Sequence, residues 1–156
     1  PLTVIGVLTG SVVLLADLIR QLKMPLRIGF IQATSYRGGV ERGELELDVA
    51  ILPDVVGQEV LLVDDIFDTG HTLDEVQRMI QSMDPQLLHT AVLLHKLGRQ
   101  EVDIRPDFIA FEIPDEFVVG YGLDYRDQYR NLPYVAVLEE ADLESNDPVE
   151  PGNAQA

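Results

Sequence analysis

The 156-residue sequence has no cysteine and only three histidines, and both shortages narrow the chemistry available to it. Without thiols the chain can form no disulfide, thiolate nucleophile or cysteine-bound zinc site. The histidines, His71, His89 and His95, are too scattered to indicate a metal site by themselves. A function based on thiol chemistry is therefore excluded.

Basic residues are also scarce, because 11 Lys and Arg stand against 27 Asp and Glu, for a net charge of −16. Binding to a nucleic-acid backbone requires a basic stripe, so we expect no nucleic-acid partner. Residues 139–156, EEADLESNDPVEPGNAQA, carry six acids and no base. We expect this stretch to be a disordered acidic tail, with a binding tail as the alternative, and residues 1–138 to form a single domain.

Long apolar segments are missing as well. No run approaches the ~20 apolar residues that a transmembrane helix needs, and no charged-then-apolar signal peptide opens the sequence. We therefore expect a cytoplasmic protein that does not enter a membrane.

What the sequence does contain is an alternation of strand and helix patterns. Apolar, β-branched segments predict strands at 2–8, 26–33, 45–52, 60–63, 90–96, 107–113 and 134–138. A mostly apolar segment after Gly10-Ser11 predicts one helix. A stripe that begins at Leu73 predicts a second, with Thr72 and Glu75 as a capping box. Such alternation predicts an α/β domain with a mainly parallel sheet.

The most informative stretch is VLLVDDIFDTGHTL, residues 60–73. An apolar strand is followed by three acids, Asp64, Asp65 and Asp68, and then by a turn, 69–72, that opens a helix. The amides and hydroxyls of such a turn suit one phosphate, and paired carboxylates suit sugar hydroxyls or hydrated Mg²⁺. Neither GxxxxGK[ST] nor GxGxxG is present, so the combination favours a sugar 5-phosphate over a nucleoside triphosphate or dinucleotide.

This stretch resembles the phosphoribosyl pyrophosphate (PRPP) binding motif of type I phosphoribosyltransferases. Residues 93–99, LLHKLGR, and 107–138 resemble the C-terminal half of the hypoxanthine-guanine phosphoribosyltransferase family. The resemblance implies a twisted, mainly parallel sheet flanked by helices, with a small hood and a flexible lid hairpin. It also implies Mg²⁺-dependent transfer of a phosphoribosyl group from PRPP to a 6-oxopurine, giving a nucleoside monophosphate and pyrophosphate in purine salvage.

The same resemblance implies roles for individual residues. Asp64 and Asp65 would meet the ribose hydroxyls and the metal, and Asp68 would be the general base or acid near purine N7. The 5′-phosphate would be held by Asp68, Thr69, Gly70, His71 and Thr72. Purine contacts would come from Lys96, Phe117, Val118 and Asp124, with Lys96 at purine O6 and Asp124 also a metal ligand. Pyrophosphate would be bound by Thr9, Gly10 and Arg130, and the lid signature would be Ser35 and Tyr36.

The sequence departs from the family pattern near its start. Thr9 replaces a frequent lysine, asparagine or arginine, and the isomer of the Leu8–Thr9 peptide, which can be cis in the family, is left open. The first strand begins almost at Pro1, whereas relatives usually have some tens of residues before it, so we expect a reduced hood. The resemblance implies a homodimer or homotetramer. A xanthine-preferring enzyme and a non-catalytic nucleotide-sensing protein are the alternative functions.

Overall fold

The computed structural model describes residues 1–35 and 45–139, within which the strands form a mainly parallel sheet. The strands of this sheet are β1 (Leu2–Leu8), β2 (Leu26–Ser35), β3 (Leu45–Ile51), β4 (Glu59–Phe67), β5 (Leu87–Lys96) and β6 (Phe108–Ile113). They are arranged in the order β3-β2-β1-β4-β5-β6. Every neighbouring pair is parallel except β2 and β3, which pair antiparallel.

Two helices, α1 (Val12–Gln21) and α2 (His71–Gln81), cover opposite faces of the described sheet. Successive residues of a strand point to opposite faces, so neighbouring side chains reveal which helix lies on which side. Ile5 of β1 packs in the same core cluster as Leu73, Val76 and Ile80 of α2, whereas Val4 packs with Leu15 of α1. The α/β architecture predicted from the sequence is confirmed.

The strand order reverses beside β1, and this reversal locates a binding crevice. β1 lies between β2 on one side and β4 on the other. The chain adds β2 and β3 on one side of β1, and then β4, β5 and β6 on the other side. In open parallel sheets, ligands bind at the carboxyl ends of strands at such a switch point. β1, β4 and β5 end there at Leu8, Phe67 and Lys96.

The structure corrects three details of the sequence prediction. β4 runs four residues past Val63, so Asp64 and Asp65 lie within the strand. The predicted capping box is wrong, because the residue that precedes α2 is Gly70 and no side chain caps the helix. The predicted strand 134–138 is reduced to β8 (Ala136–Val137), which pairs with β7 (Val118–Val119) in a separate two-stranded sheet.

Two predictions fall outside the described residues. Tyr36 and the rest of the predicted lid, together with the side chain of Ser35, are not among them, although Ser35 closes β2. The predicted acidic tail lies outside them from residue 140 onward.

Candidate active site

A cavity of about 400 Å³ opens at the carboxyl ends of the central strands. Its volume is within the usual range for small-molecule sites. Many of the residues singled out from the sequence line it, namely Thr9, Gly10, Asp64, Asp65, Asp68, Thr69, Gly70, Thr72, Asp124 and Arg130. The fold therefore brings together residues from four separate segments of the chain.

Asp64 and Asp65 form an acid pair on the wall of this cavity. Asp64 is 6% exposed, and its Oδ1 accepts a hydrogen bond from the Asp65 N–H at 2.9 Å. Burial, and then the neighbouring charge of Asp65, raise the pKa of Asp64 well above its ordinary value. Burial also raises the pKa of Asp65. Two carboxylates with so little solvent are stabilised by binding hydroxyl donors or a cation.

The turn before α2 presents backbone donors to the same cavity. Gly70 has φ +91°, and the Asp74 N–H is bonded to the Gly70 carbonyl at 3.0 Å as the first helical turn closes. The three N–H groups of 71–73 precede that bond and have no partner within the helix, as at any helix N-terminus. Since no side chain caps this end, the donors and the positive end of the helix dipole are available to an anion.

His71 is placed differently from its neighbours. Its imidazole does not line the cavity; instead Nε2 lies 2.9 Å from Glu101 Oε2, and both side chains are half exposed. His71 is the first residue of α2, so its backbone N–H is one of the three free donors at the start of the helix.

A second cavity of about 190 Å³ adjoins the first and holds the predicted purine contacts. It is lined by Asp65, Ile66, Asp68, Lys96, Phe117, Val118, Leu123 and Asp124. Phe117 is 45% exposed and meets the edge of Tyr125 with ring centroids 5.5 Å apart. Lys96, at the end of β5, is 8% exposed, so its ammonium group is largely desolvated. An aromatic ring and a buried donor suit a flat heterocycle that carries an acceptor oxygen.

Asp68 lies at the junction of the two cavities and lines both. Its Oδ1 accepts from Arg99 Nε at 2.9 Å, and its Oδ2 accepts from Lys96 Nζ at 3.3 Å. Burial works to raise the pKa of Asp68, but the hydrogen bond from Arg99 and the charge of Lys96 outweigh it and lower the pKa. Asp68 is therefore ionised, and its negative charge is held by two cations.

The loop that follows β1 packs tightly against its surroundings, and the Leu8–Thr9 peptide in it is cis. A Cβ on Gly10 would lie 1.6 Å from Asp65 Oδ2, and a Cβ on Gly122 would lie 2.0 Å from the Gly10 carbonyl oxygen. Arg130 Nη1 donates to the Gly122 carbonyl at 2.8 Å, and Arg130 Nη2 pairs with Asp124 at 2.8 Å. Glycine is thus required sterically at position 10, and Arg130 joins this loop to Asp124.

The donor set fits a magnesium ion that is shared with a substrate. Among residues 1–35 and 45–139, no three His, Asp or Glu side chains cluster closely enough to hold a metal alone. Mg²⁺ is commonly bound by one or two carboxylates, with water and substrate phosphate oxygens completing its shell. Asp64 and Asp65 provide the carboxylates beside the cavity in which a phosphorylated sugar would lie.

Sequence reasoning gave no role to Arg99 or Asp115, which are charged partners of the site. Lys96 Nζ lies 3.7 Å from Asp115 Oδ1, and Arg99 Nη1 lies 3.6 Å from Asp115 Oδ2. In the sequence, Arg99 is the last residue of the LLHKLGR stretch, and Asp115 precedes Phe117 by two residues. Neither pattern indicates these contacts, and Arg99 is 31 residues away from Asp68 in the chain.

None of the helices in residues 1–35 and 45–139 has the length and apolar character of a membrane span.

Comparisons with known proteins identify the family. Residues 1–126 match the family described as the phosphoribosyl transferase domain. A hypoxanthine-guanine phosphoribosyltransferase of Staphylococcus epidermidis is 43% identical over 140 residues, which make up 89% of this chain and 78% of that protein.

Two solved structures have the same fold. The crystal structure of a hypoxanthine phosphoribosyltransferase from Staphylococcus aureus aligns with a TM-score of 0.85 at 39% identity, covering 94% of this chain and 79% of that chain. A variant of the Trypanosoma cruzi hypoxanthine phosphoribosyltransferase, complexed with the product IMP, aligns with a TM-score of 0.85 at 37% identity, covering 96% and 78%. The type I phosphoribosyltransferase fold expected from the sequence is confirmed, and the chain belongs to the hypoxanthine-guanine phosphoribosyltransferase family.

Proposed function

We propose that the chain is a purine-salvage enzyme that transfers the 5-phosphoribosyl group of PRPP to hypoxanthine or guanine. The observation that carries this proposal is the position of Asp68, which lines both the phosphate-cradling cavity and the cavity of Lys96 and Phe117. A sugar phosphate in the first cavity and a purine in the second would meet at this carboxylate.

The substrate PRPP matches the larger cavity group by group. The uncapped start of α2 provides amides for the 5′-phosphate, with Thr69 and Thr72 beside it. Asp64 and Asp65 would accept hydrogen bonds from the ribose hydroxyls and hold Mg²⁺, which when bound supplies positive charge to the pyrophosphate oxygens. The loop at Thr9 and Gly10, with Arg130, lies where the pyrophosphate would extend.

The purine would lie against Phe117, with its 6-oxo group toward Lys96. An ammonium group has three donors and no acceptor, so it favours the 6-oxo group over the 6-amino group of adenine. Lys96 contacts the carboxylates of Asp68 and Asp115. Because it has three donors, it can bind O6 and still keep one of these contacts.

In the reaction, the bond between ribose C1 and pyrophosphate breaks and a bond from C1 to a purine nitrogen forms. The purine loses one proton, and Asp68 accepts it. The negative charge of Asp68 also stabilises the cationic character that develops on the ribose. Arg130 and the Gly10 loop hold the departing pyrophosphate.

The test measures monophosphate and pyrophosphate formation from PRPP and Mg²⁺ with hypoxanthine, guanine and xanthine in parallel. We expect kcat/KM to be highest for hypoxanthine or guanine. Asp68→Asn should lower kcat about 100-fold and change the Kd of PRPP less than about 3-fold, because general acid–base groups contribute on that scale.

Two results would contradict the proposal. PRPP binding without turnover of any 6-oxopurine would indicate a nucleotide-sensing protein, and a clear preference for xanthine would overturn the substrate assignment. Assembly as a homodimer or homotetramer and a cytoplasmic location stay predictions; sedimentation of the purified chain would test the first.

A further inference from the structure

Four charged side chains form a closed ring beside the purine cavity. Asp68 contacts Lys96 and Arg99, and Asp115 contacts the same two cations at 3.7 and 3.6 Å. The ring contains two positive and two negative groups, so it is neutral as a unit. Only Asp68 and Lys96 of the four line the purine cavity.

The two oxygens of Asp68 are held by different cations. Lys96 holds Oδ2 from the cavity side at 3.3 Å, whereas Arg99 holds Oδ1 more closely, at 2.9 Å, from outside the cavity. Arg99 lies just beyond β5, on a turn where Gly98 has φ +79°. The carboxylate is therefore held by Arg99 from outside the purine cavity and by Lys96 at the wall of that cavity.

Binding of a 6-oxopurine affects these two contacts unequally. Lys96 would turn toward the O6 acceptor, which draws it away from Oδ2 and exposes that oxygen to the purine proton. Arg99 touches neither cavity, and the ligand does not compete for its contact with Oδ1. Asp115 Oδ2 keeps Arg99 in place when Lys96 moves.

We propose that Arg99 is a positioning residue for the catalytic carboxylate, which it holds by Oδ1 so that Oδ2 is presented to the purine. This inference rests on the proposed function of Asp68. Arginine suits the task because its guanidinium stays protonated and cannot take the proton that the carboxylate must receive. Its hydrogen bond is among the causes that lower the pKa of Asp68.

The competing interpretation is an ordinary surface ion pair. The Arg99 side chain is 46% exposed, and exposed pairs often contribute little to stability. A surface pair would leave the chemical step unchanged when it is removed. A positioning residue would slow that step and leave the affinity for PRPP intact.

The experiment compares Arg99→Ala, Arg99→Gln and Arg99→Lys with the control Arg105→Ala. Arg105 lies in the same connection between β5 and β6 and is exposed, and it pairs with Glu112 rather than with Asp68. Single-turnover rates of nucleotide formation isolate bond formation from product release, and calorimetry gives the Kd of PRPP.

We expect Arg99→Ala to lower the single-turnover rate about 10-fold, a difference of about 1.4 kcal/mol in the barrier. The Kd of PRPP should change less than about 2-fold. Arg99→Gln keeps a donor without the charge, so its single-turnover rate should lie between those of wild type and Arg99→Ala. Arg99→Lys should recover to within about 3-fold of wild type, because the contact with Asp68 uses a single N–H. Arg105→Ala should match wild type.

The inference is overturned if Arg99→Ala turns over at the wild-type rate, if PRPP affinity falls as much as the rate, or if Arg105→Ala shows the same loss. In each of these outcomes the wild-type protein still forms nucleotide. Failure of the proposed function would show instead as a wild-type protein that forms no nucleotide from any 6-oxopurine.

Discussion

Gly10 lies against the carboxylate of Asp65, and we expect Gly10→Ala to damage both stability and PRPP binding. The added Cβ would lie 1.6 Å from Asp65 Oδ2 and 2.5 Å from its Cγ. Gly10 is not among the glycines with positive φ, so its backbone accepts alanine without strain. The perturbation is therefore a pure steric overlap with one functional side chain.

The size of the effect follows from how Asp65 is held. Relief of the overlap to an ordinary van der Waals separation of 3.4 Å requires a displacement of about 1.8 Å between the two groups. Asp65 Oδ1 accepts from the Ile66 N–H at 2.8 Å, and a shift of that size breaks this bond. Overpacking and the lost hydrogen bond together give a cost of about 2 kcal/mol.

Guanidinium unfolding measures the stability change, and calorimetry measures PRPP affinity. That affinity should weaken at least about 10-fold, because the displaced Asp65 could not make the ribose contact proposed for it. Gly57→Ala is the matched control. No atom lies within 4 Å of its Cβ position, and its φ of +62° accounts for a cost of about 1 kcal/mol without any effect on the site.

A double-mutant cycle tests the cause. Once the carboxylate is removed, alanine at position 10 should cost almost nothing, so Gly10→Ala in an Asp65→Ala background should lose less than about 0.5 kcal/mol. Additive losses, or a Gly10→Ala protein with wild-type stability and PRPP affinity, would refute the steric argument.

Two further predictions concern contacts that support the site. Asp107 Oδ2 accepts from the N–H and the hydroxyl of Thr90, at 2.7 and 3.0 Å, and ties the start of β6 to β5; Asp107→Ala should cost about 1 kcal/mol in denaturant unfolding at pH 7. Burial works to raise the pKa of Asp107, but these bonds lower it. Its contribution is thus complete above the unfolded pKa of about 4 and is lost as pH falls through the lower folded value, so wild type and variant should converge in acid. A pH-independent difference would show that ionisation of Asp107 is irrelevant. Tyr121 donates its hydroxyl to Asp17 Oδ2 at 2.7 Å, a bond between residues 104 positions apart; Tyr121→Phe should lower the thermal midpoint by the equivalent of about 1 kcal/mol, and an unchanged midpoint would mean that this bond does not contribute.

The sequence predicts the frame of the site well because local pattern determines it. Apolar strands followed by acids and by a glycine turn are short-range features, and the predicted Asp64 to Thr72 segment is found at a strand end and helix start. The stripe of α2 is also as predicted, with Leu73, Val76 and Ile80 buried.

Sequence reasoning missed one local feature of a turn and one contact between distant segments. Thr72 and Glu75 satisfy a capping pattern, yet Gly70, with φ +91°, ends the turn one residue before the helix and leaves Thr72 within the first turn. The Arg99 contact with Asp68 joins two loops that meet only because β4 and β5 are neighbours in the sheet. Such pairs have no signature in the sequence until the strand order is known.

The close approach of Gly122 to Gly10 has a consequence for how substrate is read. Asp65 lies against Gly10, and Gly10 lies against Gly122. The Gly122 carbonyl in turn accepts a hydrogen bond from Arg130. The last two of these contacts involve backbone atoms. Backbone cannot change rotamer to absorb a displacement, so the Asp65 side and the Arg130 side of the cavity are held at one separation. Under the proposed function, this fixed distance would favour a ribose and a diphosphate that are covalently joined over either fragment alone.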